Sequence, residues 1–260
     1  FLYNLMASEW AGWDNFTYFL TLKDFPQILR NTLLYNIAFI ILDIVLPVGL
    51  AMMINNIYSK RASKTYQTLM FMPHFMSWVV CSYFVYAFLI TDKGLLNQLI
   101  VLFGGEKVNW YFEAKHWPVI LTILHIWKGI GYSMVVYLAT ITGIDTSLYE
   151  AAVLDGASKW QQAKYITIPM LQSMIILMFI RSVGGIFSSD FGLFYQVPLG
   201  NGMLYETTQT IDTFVYRALM ISNNVGQSSA ASVFQAVIRF FLVLFSNMLV
   251  RKINPENSLF

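Results

Sequence analysis

The sequence is short of charge, has almost no cysteine, and lacks every common signature of soluble catalysis. Asp, Glu, Lys and Arg make up only 12% of the 260 residues, against 57% hydrophobic, and the mean hydropathy is +0.57. A soluble domain is nearer a quarter charged, so this composition excludes one and implies an integral membrane protein. A formal net charge of +2 is too small to argue for a nucleic-acid partner. The single cysteine, Cys81, excludes an internal disulfide. It sits in an apolar run with nothing basic adjoining, so a buried structural thiol is expected rather than a reactive one. No Walker loop, HExxH, GxSxG or paired Cys/His metal spacing occurs, so neither a catalytic residue nor a metal site is expected. The three histidines are scattered, and His74 and His125 are expected to be packed, hydrogen-bonded helix residues.

What the sequence does have is long apolar segments. Five are of membrane length, at about 31–54, 68–90, 117–142, 169–188 and 230–250. An all-α, polytopic bundle follows, because only helices and closed barrels satisfy the backbone in hydrocarbon. Residues 1–25 carry Trp10, Trp13 and Tyr18 without a membrane-length apolar run, and suit an interface. Lys60, Arg61 and Lys64 form a short basic cluster free of acids, and Arg251-Lys252 follows the last span. Five spans put those two segments and 143–168 on one side, which the positive-inside rule makes cytoplasmic. Residues 1–25, 91–116 and 189–229 then lie outside, the last of these a polar loop short of periodicity.

The stretch 149–170, YEAAVLDGASKWQQAKYITIPM, is amphipathic between two apolar spans, so it must form a surface feature at the membrane face. Two short helices are expected, with capping-box spacing at Ser147/Glu150 and Ser158/Gln161. Gly156 falls at the reversal, where a positive φ is needed, and Pro169 is expected to end the second helix and open the next span. Small Ala151, Ala152 and Ala157 would let another protein approach the backbone.

Glu150-Ala151-Ala152, Gly156, Ile168 and Pro169 resemble the EAA signature of ABC importer permeases, in the version found in maltose-type oligosaccharide and polysaccharide permeases. The resemblance extends through 131–140, Asp190-Phe191-Gly192-Leu193-Phe194-Tyr195 and 230–260, most of the chain. It implies a type I importer permease fold in a bacterial cytoplasmic (inner) membrane, with a sixth span before Phe1. It implies that 143–168 is a cytoplasmic coupling loop whose Glu150, Ala151, Ala152, Asp155, Gly156 and Pro169 engage a separate ATPase. Partners would be a second homologous permease subunit, two ATPase subunits and an extracytoplasmic solute-binding protein. The chain would be no enzyme and hold no cofactor, ATP and Mg being bound by the ATPase.

Asp43, Lys128, Arg181 and Arg239 each fall about halfway along a span, where an ionised group costs a few kcal/mol unless it is paired or wet. Asp43 could neutralise one cation; it cannot neutralise three. Trp127, Tyr132 and Tyr137 share a span with Lys128 and could stack on sugar rings, though ordinary packing is the commoner reason for aromatics in membrane helices. Gly129 and Gly131 suit close helix packing. The surplus of cations favours an acidic, uronate-containing oligosaccharide over a neutral one or another polar solute. A secondary transporter would also carry midplane charges, but has no reason for an EAA-like loop. A membrane-embedded enzyme would need more acids than Asp43.

Overall fold

The computed structural model describes residues 10–253, and their regular structure is entirely helical. The expectations for residues 1–9 and for the end of the tail fall outside the described residues. In chain order the helices are α1 (Asp14–Thr21), α2 (Phe25–Asn55), α3 (Lys60–Phe71), α4 (Trp78–Leu89), α5 (Leu95–Leu102) and α6 (Trp117–Thr142). They continue as α7 (Thr146–Leu154), α8 (Lys159–Met170), α9 (Gln172–Gly184), α10 (Ile211–Met220) and α11 (Val225–Ile253). Among the described residues three helices are long and apolar enough to cross a membrane: Phe25–Asn55, Ala114–Thr142 and Val225–Lys252. Two bent pairs bring the number to five if each pair is one span.

Those two pairs depart from the sequence expectation of simple spans. Segment 68–90 is α3 and a tight turn, Met72–Phe75, meeting α4 at 99°. Pro73 occupies the turn, and Met76 and Ser77 are extended. The Ser77 hydroxyl then accepts from the Val80 N–H and starts a new helix. Segment 169–188 is interrupted too: α8 and α9 are bent by 59°, and α9 has only 13 residues. Pro169 does not open α9. It lies inside α8, behind a wide turn at Ala163–Thr167, and the break follows at Leu171. Helices α2 and α11 also begin about five residues earlier than their apolar runs suggest, because Pro26 seats in the first turn of α2 and Asn224 caps α11 through the Gln227 N–H.

Helices α2 and α6 run side by side in the same direction. Tyr35 and Phe39 share an apolar cluster with Trp117 and Leu121 at one end. Val48, Ala51 and Ile54 share another with Met134, Tyr137, Leu138 and Ile141 at the far end. Such parallel neighbours require the chain to return between them, which α3 and α4 do. Close packing against α3 comes at Gly131, where a Cβ would collide with the Met70 carbonyl. Gly129 has open space instead, so it has no packing role of that kind.

Segment 189–229 is folded, contrary to the expectation of an aperiodic loop. A wide turn at Gly192–Gln196, one helical turn at Tyr205–Thr208 and α10 sit over the first turns of α2. Asn31 donates to the Glu206 and Gln209 carbonyls, Tyr35 donates to the Thr207 carbonyl, and the Ile211 N–H donates to Thr32. Its signal was present in Ile211, Phe214, Val215 and Ala218, an i, i+3, i+4, i+7 stripe.

Candidate functional site

The 143–168 region is two helices joined by a sharp reversal. Asp145, not Ser147, caps α7: its carboxylate accepts the Ser147 N–H at 2.9 Å, which holds it below the usual carboxylate range. The Ser147/Glu150 capping box is therefore not formed. Ser158 and Gln161 do form theirs at the start of α8, the two bonds being 3.3 and 2.7 Å. At the end of α7 the Ala157 N–H reaches the Ala152 carbonyl at 2.8 Å and the Gly156 N–H reaches the Val153 carbonyl at 3.0 Å. This is a Schellman closure, and Gly156 takes the left-handed position with φ +80°.

The reversal is tied back to the spans. Tyr149 and Thr167 hydroxyls meet at 2.9 Å, across a cleft of about 170 Å³ that also takes Met52, Asn55 and Asn56 from the end of α2. Its outer surface is unpartnered among the described residues. Leu154, Trp160 and Tyr165 are 88%, 71% and 66% exposed, so apolar area on this scale awaits a covering surface. Glu150, Ala151, Asp155 and Pro169 are exposed and Ala152 half-buried. The carboxylate of Asp155 stands at the helix C-terminus, where the helix dipole disfavours it. Leu154, Trp160 and Tyr165 were missed from the sequence because an apolar side chain in a membrane protein carries no burial signal of its own.

The ionisable and aromatic residues of the spans separate into distinct environments. Asp43 meets His125 at 3.0 Å, so its partner is a histidine rather than Lys128, Arg181 or Arg239. Arg239 lies 3.9 Å from Asp212 of α10 and donates to the Phe187 carbonyl at 3.2 Å. Asp212 also accepts from the Ser189 N–H and from Gln235. Arg239 thus belongs to a structural network under 189–229. Tyr137 is fully buried in the α2–α6 core, and Trp127 turns into an apolar groove with Met76, Phe84 and Ile123. Neither shares a surface with Lys128, as helical spacing explains. Tyr137 lies nine residues from Lys128, on the opposite face, and Trp127 is a quarter-turn away.

Lys128 and Tyr132 do share a face. The Lys128 ammonium donates to the His74 carbonyl at 2.9 Å and lies 5.3 Å from the Trp78 ring centroid. Tyr132 stacks on His74 at 5.0 Å and is 41% exposed. Arg181 is exposed on α9 and has neither a hydrogen bond nor an ion pair among the described residues. Cys81 is buried, with 1% exposure. No group of three or more metal-ligating side chains occurs among the described residues.

Residues 44–256 match the family model described as "Binding-protein-dependent transport system inner membrane component". The chain is 34% identical to the polygalacturonan/rhamnogalacturonan transport system permease protein YteP of Bacillus subtilis (strain 168), over 97% of this chain and 78% of the relative. It is 30% identical to the lactose transport system permease protein LacF of Rhizobium radiobacter, over 81% of this chain and 70% of the relative. Among solved structures it superposes at a TM-score of 0.90, with 31% identity, on a chain of a bacterial ABC transporter involved in the import of the acidic polysaccharide alginate. The superposition covers 98% of this chain and 91% of that one. A bacterial alginate ABC transporter in complex with an alginate pentasaccharide-bound periplasmic protein gives a TM-score of 0.89, with 31% identity over 97% of this chain and 89% of that one. The architecture is therefore the type I importer permease fold, and the chain belongs to the inner membrane components of binding-protein-dependent ABC transport systems, as a permease subunit and not an enzyme.

Proposed function

We propose that this subunit imports an acidic, uronate-containing oligosaccharide delivered by an extracytoplasmic solute-binding protein. The observation that carries the substrate class is the state of the span cations. Asp43 is taken by His125 and Arg239 by Asp212, which leaves Lys128 and Arg181 without a carboxylate among the described residues. Two such cations are costly beside a path that carries only neutral sugar, and a substrate carboxylate offsets that cost. One relative is named for polygalacturonan and rhamnogalacturonan and the solved neighbour is involved in the import of acidic alginate, whereas LacF is named for neutral lactose.

In this reading α7 and α8 face the cytoplasm, with the basic 60–64 segment and Arg251-Lys252. Their exposed Leu154, Trp160 and Tyr165 dock into a groove on one of two ATPase subunits, which bind the ATP and Mg. Glu150, Ala151, Ala152 and Asp155 line that contact, and Gly156 and Pro169 shape it. A homologous, different permease subunit completes the path. ATP-driven closure moves the Tyr149–Thr167-locked helix pair as a lever and shifts the spans between inward- and outward-facing states.

Reconstitution with the cognate binding protein, partner permease and ATPase tests the reading. Uronate oligosaccharides should drive uptake and stimulate ATP hydrolysis. Uptake of neutral oligosaccharides alone, with no competition by uronates, overturns it.

A further inference from the structure

Resting on that reading, we infer that the break in the second membrane segment forms a subsite for one sugar carboxylate, with Lys128 as the group that binds it. The 99° bend between Lys60–Phe75 and α4 frees the His74 carbonyl, which no continuing helix can use. Lys128 reaches across from α6 and donates one N–H to that carbonyl at 2.9 Å. An ammonium has three N–H donors, so two remain for a ligand. The same ammonium lies 5.3 Å from the Trp78 ring centroid, within cation–π range.

Trp78 is itself fixed. Its indole N–H donates to Asp190 at 2.6 Å, and its ring packs so tightly on Gly192 that a Cβ there would collide with it. Asp190 is committed elsewhere as well, accepting the Gly192 and Leu193 N–H groups at 2.9 and 3.3 Å. It forms no ion pair with Lys128. Lys128 is thus half-buried, held at two points by neutral groups, and left with free donors. A cation with free donors and no ion pair can take a carboxylate from outside through charge-assisted hydrogen bonds. Tyr132, 41% exposed one turn further along the same face, offers an aromatic surface and a hydroxyl to the sugar ring bearing that carboxylate. Lys128 differs here from Arg239, which already has Asp212, and from Arg181, which has no surrounding built to hold it.

The test compares one uronate oligosaccharide with its carboxyl-reduced, neutral analogue in the reconstituted complex. Lys128→Gln should lower kcat/KM for the uronate by about 10- to 100-fold, the scale of a lost charge-assisted hydrogen bond. Uptake of the reduced analogue should fall far less than uptake of the uronate, and Lys128→Arg should recover most of the loss. An equal fall for both substrates would make Lys128 structural, and no fall for either would remove it from the path; each outcome overturns the subsite. Failure of the unmodified complex to take up the uronate is a separate result, which overturns the proposed substrate class before any variant is read.

Discussion

Asp43 and His125 face each other at 3.0 Å across the parallel α2–α6 pair, and His125 lies flat on Phe39, ring centroids 3.7 Å apart. The contact sits between the two apolar clusters that hold these helices together at their ends. Its position makes it a register pin for the pair, and it removes the one span carboxylate from the neutralisation of Lys128 and Arg181.

Replacing Asp43 by Ala should therefore destabilise the subunit by about 1–3 kcal/mol, the cost of leaving a half-buried polar partner unmet. His125→Ala should cost a similar amount, and the double variant much less than the sum. Thermal unfolding of the purified complex measures all three. Additive losses would show that the two side chains do not support each other.

Arg239 calls for the opposite expectation to Lys128. Its guanidinium joins Asp212 and the Phe187 carbonyl, so Arg239→Gln should lower thermal stability or assembly, and Asp212→Asn should act in the same direction. Surviving transporter should show no change in preference between acidic and reduced oligosaccharide. A loss confined to the acidic substrate would return Arg239 to the path.

Tyr137 is buried with its hydroxyl unpartnered among the described residues. An unmet buried hydroxyl costs free energy, so Tyr137→Phe should leave the melting temperature unchanged or raise it. A drop of more than about 1 kcal/mol in stability would reveal a hydrogen bond made in the assembled transporter.

Much of this could be seen in the residues beforehand, and the misses have physical causes. Membrane-length apolar runs gave the helices, and Gly156 gave the reversal, because both depend on local chemistry that no partner overrides. The 99° bend was hidden because Pro73 and Ser77 look alike in a kinked span and a broken one. Asp212 was visible only as a loop acid. Its pairing with Arg239 joins residues 27 apart through a fold that periodicity does not encode. Tyr137 in the α2–α6 core and Trp127 on an apolar groove could not be told apart beforehand, because aromatics serve packing and recognition alike and only the face of α6 separates them.

Orientation is open to direct labelling. Met203, 60% exposed, and Tyr58, fully exposed, lie in segments that the reading places on opposite sides. Native Cys81 is buried and should give little background. An impermeant thiol reagent applied outside should modify Met203→Cys and spare Tyr58→Cys. The reverse pattern would invert the topology.

The reversal at Gly156 separates backbone strain from crowding. A Cβ at this position meets nothing within 4 Å, so a side chain has room. The φ of +80° is the obstacle, because L-residues pay about 1–2 kcal/mol to adopt it, and a β-branched one more. Gly156→Val should loosen the Schellman closure made by Gly156 and Ala157, and so the angle between α7 and α8. Membrane insertion does not depend on that angle and should survive, while substrate-stimulated ATP hydrolysis and uptake fall. Gly156→Asn tolerates the left-handed region better and should fall between wild type and Val. Normal transport in Gly156→Val would show that the helix pair does not act as a rigid lever, whatever holds it against the ATPase.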